Sequence, residues 1–99
     1  MESAASTDPA RPGSSAYELT SHARVRSEPF GLLFYDRRGP RLFFLASRDW
    51  VSPEFFDSRI TLNEWSAQRA VPAMAVEALE RAMIDLEVKG VVRAVGPRA

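Results

Sequence analysis

Two apolar runs on either side of a polar turn decide the fold: Leu32-Leu33-Phe34-Tyr35, then Asp36-Arg37-Arg38-Gly39-Pro40, then Arg41-Leu42-Phe43-Phe44-Leu45-Ala46. Both runs are short and rich in aromatic and branched apolar side chains, the composition of strands. Asp and Gly between them are turn residues, and Gly39 is expected to take positive φ and close a hairpin. Pro40 has no N–H to give a ladder and is expected outside the pairing. Upstream, Ala23-Arg24-Val25-Arg26-Ser27 reads as a further strand with Val25 turned inward. Pro29 stops it, and Gly31 frees the backbone for a bend. The expectation is a meander of three short antiparallel strands.

After Ala46 the apolar period lengthens. Ser47 or Ser52 is expected to cap a first helix, with Pro53 and Glu54 in its opening turn and Val51, Phe55 and Phe56 on one side. A second begins at Thr61 or Asn63 and turns Leu62, Trp65 and Ala70 inward. The third is the clearest. Pro72 opens it, Val76, Leu79, Met83 and Leu86 form a narrow apolar stripe, and Gly90 ends it. Val91, Val92 and Val95 then return to the core as a short extended segment. The fold class is α+β and winged-helix-like: a three-stranded antiparallel sheet followed by three helices and a short C-terminal strand. Residues Met1–Ala16 hold Ser, Thr, Pro and Gly with no large apolar side chain after Met1, and are expected to form a disordered tail. The folded domain is expected over 17–95.

Ninety-nine residues support one domain, and 45% apolar content is enough for one modest core. The chain has no cysteine, which excludes a disulfide scaffold, a thiolate nucleophile and Cys-ligated metal. No apolar run approaches the ~20 residues that cross a bilayer, and no export leader is visible, so no membrane partner and a cytoplasmic location are expected. Thirteen basic and thirteen acidic side chains cancel, which argues against nucleic acid as a partner. The distribution is uneven: His22 to Arg48 carries +4, and Asp49 to Lys89 carries −4.

Nothing in the sequence builds a catalytic site. His22 is the one histidine and has no partner to make it a general base. Glu77, Glu80, Asp85 and Glu87 share one helix with Arg81 and Lys89 and read as a solvated face. Gly31 and Gly39 sit in no phosphate-binding pattern. A non-catalytic chain with no cofactor and no metal is expected. The informative feature is Leu42-Phe43-Phe44-Leu45, apolar on both faces. A three-stranded sheet has two edges, and an apolar edge is either covered or kept for pairing with an extended peptide. Which of these holds is open at this point. Ala75, Ala78 and Ala82 lie beside the stripe of the third helix, where small side chains would leave a shallow furrow; they are also simply good helix formers.

The stretch Val25-Arg26-Ser27-Glu28-Pro29-Phe30-Gly31-Leu32-Leu33-Phe34-Tyr35, continuing through Arg38-Gly39-Pro40-Arg41-Leu42-Phe43-Phe44-Leu45, resembles the PqqD-like precursor-recognition family, the RiPP recognition elements, and within it the mycofactocin precursor chaperones. The Arg-x-Glu-Pro-Phe-Gly signature, the Tyr, the turn and the second apolar strand carry the resemblance. It spans roughly Tyr17 to Val95. Such proteins are not enzymes. They bind the leader of a ribosomally made precursor peptide and present it to a radical S-adenosylmethionine (SAM) maturase, adding the leader as a strand beside the third strand and next to the third helix. The resemblance therefore implies Leu42, Phe43, Phe44 and Leu45, with Arg41, on the strand, and Ala78, Arg81, Ala82 and Asp85 on the helix. Leaders of this type are acidic, and Arg37, Arg38 and Arg41 at the hairpin would attract them. Glu28-Pro29-Phe30-Gly31 reads as a rigid bend with Phe30 as a plug. The rival expectations are a winged-helix nucleic-acid binder, which needs a basic recognition helix, and a small scaffold that forms a homodimer through the edge strand.

Overall fold

The computed structural model describes residues 14–39 and 41–95. The expected tail lies outside these residues except for 14–16, as does the expected place of Pro40. The chain runs β1 (Ala16–Leu19), β2 (Ala23–Glu28), β3 (Gly31–Asp36), β4 (Arg41–Leu45), α1 (Phe55–Ser58), α2 (Leu62–Gln68), α3 (Ala73–Val88) and β5 (Val92–Val95). It is a small α+β domain with two sheets. One is the expected meander, in the order β2-β3-β4. The other is a two-stranded antiparallel ribbon of β1 and β5, in which Tyr17 pairs with Ala94 and Leu19 with Val92. β1 was not expected as a strand, and the anticipated domain start at Tyr17 falls inside it, with Ala16 already buried.

Local chemistry sets the turns. The β3–β4 hairpin is closed by a side chain and not by a left-handed glycine. Asp36 Oδ1 accepts the backbone N–H of Arg38 at 2.9 Å, an Asx turn. Gly39 has no positive φ, against the expectation; among the described residues Gly31 (+147°) and Gly90 (+87°) are the glycines that do. A Cβ on Gly31 would stand 2.2 Å from the Leu45 carbonyl oxygen, so only glycine lets β4 cross this point. Gly90 closes α3 as a Schellman turn: its own N–H donates to Glu87 O (3.0 Å) and that of Val91 to Leu86 O (3.2 Å).

The helices depart from expectation in detail. Neither Ser47 nor Ser52 caps α1; Glu54 stands at its N-cap and makes no side-chain capping bond. Thr61 does cap α2, and Glu64 completes the capping box. Ala70 is exposed at positive φ and closes the link to α3 instead of packing inward.

The core lies between the inner face of the three-stranded sheet and the helices. Phe55 is its hub, in edge contact with Phe56 (5.2 Å between ring centres) and Trp65 (5.3 Å) and tilted against Tyr17 (6.5 Å). Phe56 meets Phe34 of the central strand at 5.6 Å. One aromatic chain thus ties β1, α1, α2 and β3 together. Trp65 satisfies its indole N–H on the Trp50 carbonyl at 3.0 Å. Val76, Leu79, Met83 and Leu86, the expected stripe of α3, are all buried in this core.

Candidate functional site

β4 pairs with β3 alone among the described residues, so its other side is an open sheet edge. The register fixes which of its peptide groups are free. The Arg37 N–H donates to His22 O (3.0 Å), which marks a closely bonded pair beyond Ala23↔Asp36. Bonded and non-bonded pairs alternate along an antiparallel ladder. Arg24↔Tyr35 and Arg26↔Leu33 are therefore bonded pairs, and Tyr35 and Leu33 turn their peptide groups toward β2. Phe34 and Leu32 turn theirs toward β4, where they face Phe43 and Leu45. The peptide groups of Leu42 and Phe44 are left pointing away from the sheet.

Side chains alternate by the same pleat. Phe43 and Leu45 turn inward and are half-buried against the core, whereas Leu42 and Phe44 stand on the outer face, 52% and 67% exposed. Beside the edge runs α3. Between them lies a groove of about 300 Å³, bounded on one side by Leu42, Phe43, Phe44 and Leu45 and on the other by Ala82, Asp85, Leu86 and Lys89. The helix positions are spaced three, one and three apart and so form one face of α3. Ala82, a small side chain, keeps the helix wall low.

One end of the groove is charged. Lys89 Nζ is 2.8 Å from Asp85 Oδ2 and 5.7 Å from the centre of the Phe43 ring, and the Arg41 guanidinium is 5.3 Å from the same ring. Both cations lie within cation–π reach of Phe43, and each also holds a carboxylate, Asp85 for Lys89 and Asp36 for Arg41. Arg38 and Arg41 also have a structural task. Both bind the fully buried carboxylate of Asp36, at 3.0 and 2.9 Å. The Arg38 side chain and backbone N–H, then Arg41, hold the Asp36 carboxyl well below the usual carboxylate range against the effect of burial. Arg38 reaches on to the Lys89 carbonyl at 3.3 Å and so ties the hairpin to the C-terminus of α3. The hairpin arginines, expected as free charge, are thus partly neutralised by Asp36.

The residues singled out from the sequence distribute as follows. Arg41 stands at the start of the edge strand, and Leu42, Phe43, Phe44, Leu45, Ala82 and Asp85 line the groove together. Ala78, one turn before Ala82, and Arg81 are exposed on α3 and do not line it. Leu86 and Lys89 do line it and were not singled out. Continuing the spacing of Ala82 and Asp85 by one turn would have found them. Phe30 is no plug: it is 41% exposed and packs its ring edge-on against Phe44 at 5.8 Å. His22 bonds Thr20 and the Gly90 carbonyl, a structural role at the end of α3. Among the described residues no cluster of three or more His, Asp or Glu is placed to hold a metal ion, and no helix is long and apolar enough to cross a membrane.

The fold and the groove define a small α+β domain with one open apolar sheet edge running beside a helix. No protein-family model, curated protein or solved structure matches the chain.

Proposed function

We propose that this chain is a non-catalytic peptide chaperone of the PqqD-like type, with a winged-helix-like arrangement, that takes up the leader of a ribosomally made precursor by strand addition along β4. It then presents that leader to a radical SAM maturase, in the cytoplasm, for mycofactocin biosynthesis. The observation that carries the reading is the pairing of an open edge with a groove: β4 has free peptide groups at Leu42 and Phe44, and α3 walls a trough beside them. The Arg-x-Glu-Pro-Phe-Gly signature, here Arg26 to Gly31, supplies the family resemblance.

The energies suit such a task. Leu42 and Phe44 each offer one donor and one acceptor, together about 4 kcal/mol net. One or two apolar anchors on Phe43, Leu45 and Ala82 add ~1.5–3 kcal/mol each. Ordering a flexible peptide takes back ~2–5 kcal/mol. The remainder is at most about 8 kcal/mol, which reaches a micromolar complex when two anchors are filled and the ordering cost is smallest. Arg41 and Lys89 at one end orient an acidic leader and speed its encounter.

Two rivals make different use of the same surfaces. A nucleic-acid binder would need a basic α3, yet its exposed face carries Glu77, Asp85 and Glu87. A homodimer would zip two copies of β4 together, and sedimentation across concentration separates that from a monomer. The decisive measurement is an NMR titration of the ¹⁵N-labelled chain with the leader of the mycofactocin precursor. Amide shifts concentrated on 41–46 and on α3 support strand addition; shifts confined elsewhere, or none, overturn it.

A further inference from the structure

The outer face of the three-stranded sheet, opposite the helices, carries a second surface, which shares Leu42 and Phe44 with the groove and extends from them over β3 and β2. Its register places Leu33 and Tyr35 of β3 beside Leu42 and Phe44 of β4, with Arg24 and Arg26 of β2 at the rim. Arg24, Arg26, Leu33, Tyr35 and Leu42 enclose an open dish of about 360 Å³. Phe30, Tyr35, Leu42 and Phe44 are 41%, 39%, 52% and 67% exposed. With side chains of this size the patch amounts to on the order of 400 Å² of apolar surface, within the range of a monomer's largest patch, which is often functional.

The charge at the rim points to the chemistry of what covers it. Arg24 gives one N–H to the Ala23 carbonyl at 3.1 Å and pairs with no carboxylate among the described residues. Arg26 is held by Glu28 and is mostly exposed. A second copy of this chain fits poorly. A two-fold contact sets the same patch against itself, arginine rim against arginine rim. Two such patches would also bury only about 800 Å² in all, short of a standard interface.

The pleat links this face to the groove. In a strand added along β4, successive side chains point alternately into the trough beside α3 and out onto this face, next to Leu42 and Phe44. The added strand therefore widens the dish by one row.

We propose that the outer face is the docking site for the maturase, through an apolar side chain ringed by carboxylates on the enzyme, and that the bound leader completes it. The inference rests on the function proposed above. The enzyme then recognises chaperone and leader as one surface and prefers the loaded chaperone to the empty one, because the dish alone is too small for a stable interface.

The test uses the full chain, the mycofactocin precursor leader and the purified radical SAM maturase. Calorimetry is expected to give at least fivefold tighter enzyme binding with saturating leader than without. Arg24→Glu, an exposed charge reversal, and Tyr35→Ser are each expected to weaken enzyme binding at least tenfold while leader affinity stays within twofold of the parent. Equal enzyme affinity with and without leader, or parental enzyme affinity in both variants, overturns the docking proposal and leaves the chaperone reading standing. A parent chain that binds no leader removes the chaperone reading and this inference with it. If Tyr35→Ser loses leader binding as well, Arg24→Glu, which disturbs no packing, decides.

Discussion

Arg41 opens the edge strand with its guanidinium 2.9 Å from the carboxylate of Asp36, its register partner on the central strand. The first residue of the candidate binding edge is thus held to the sheet by a buried charge as well as by the ladder. Arg38 grips the same carboxylate and the last turn of α3. Edge and helix, the two walls of the groove, are therefore held in place through one anion.

That anion sets an acid limit. A carboxyl whose folded pKa is depressed stabilises the fold above its unfolded pKa and loses that contribution as pH falls toward the folded value. The parent chain is expected to weaken progressively below about pH 4. Asp36→Asn should be less stable at pH 7, since it leaves two guanidinium groups around a neutral buried amide, and should lack this acid limb. Urea unfolding followed by circular dichroism from pH 7 to pH 2 checks both.

Proline distinguishes the two sides of β4. At Phe44 the lost N–H faces away from the sheet, so Phe44→Pro should keep the fold and weaken leader binding at least tenfold, about 1.4 kcal/mol. At Phe43 the N–H belongs to the β3 ladder, and Phe43→Pro should cost about 3 kcal/mol of stability. Thermal melts with fluorescence anisotropy on a labelled leader separate the two. Equal destabilisation by both prolines would refute the assigned alternation of peptide groups.

Gly31 and Gly39 make a matched pair. Alanine at Gly31 meets the Leu45 carbonyl and a left-handed φ, and is expected to lower stability by about 3 kcal/mol. Alanine at Gly39 meets nothing within 4 Å at a non-positive φ, and is expected to be neutral or stabilising by about 0.5 kcal/mol. Denaturant midpoints for the two variants measure the contrast.

Tyr17 supplies an alkaline limit. Its ring is buried, and its hydroxyl donates to Glu80 Oε2 at 2.7 Å. Burial first, and then the bond to Glu80, push its pKa well above the usual tyrosine value. A raised acid pKa stabilises the protonated fold below the unfolded value and loses that contribution above it, here from about pH 10 upward. Tyr17→Phe should cost about 1.5 kcal/mol at pH 7 and remove the Tyr17 share of the loss above pH 10. Unfolding free energies at pH 7 and pH 11 give the comparison.

The strands of the meander and the long helix were legible because their signals are local. Apolar runs, a turn rich in Asp and Gly, and a stripe at helical spacing each fit within a few turns of chain. β1 was not, because Ala16-Tyr17-Glu18-Leu19 has no distinctive alternation and its partner lies near the other end of the chain: Glu18 pairs with Arg93. The hairpin glycine was misread because Asp36 can close the turn with its own side chain, which leaves Gly39 no left-handed task. Phe30 was assigned inward because an aromatic in a tight bend fits either face, and only the register put it against Phe44.

By itself the amino-acid sequence determined a single small α+β chain with a meander ahead of its helices, and an apolar strand too hydrophobic for an ordinary surface. Which side of that strand is open was decided by the tertiary structure. Whether β4 is an edge depends on where residues far along the chain pair, and β1 and β5, the described strands outside the meander, join each other instead. The groove likewise joins β4 to α3, elements that meet only in the folded chain; the Arg38 bond to the Lys89 carbonyl, across 51 positions, is one such contact that no local pattern encodes.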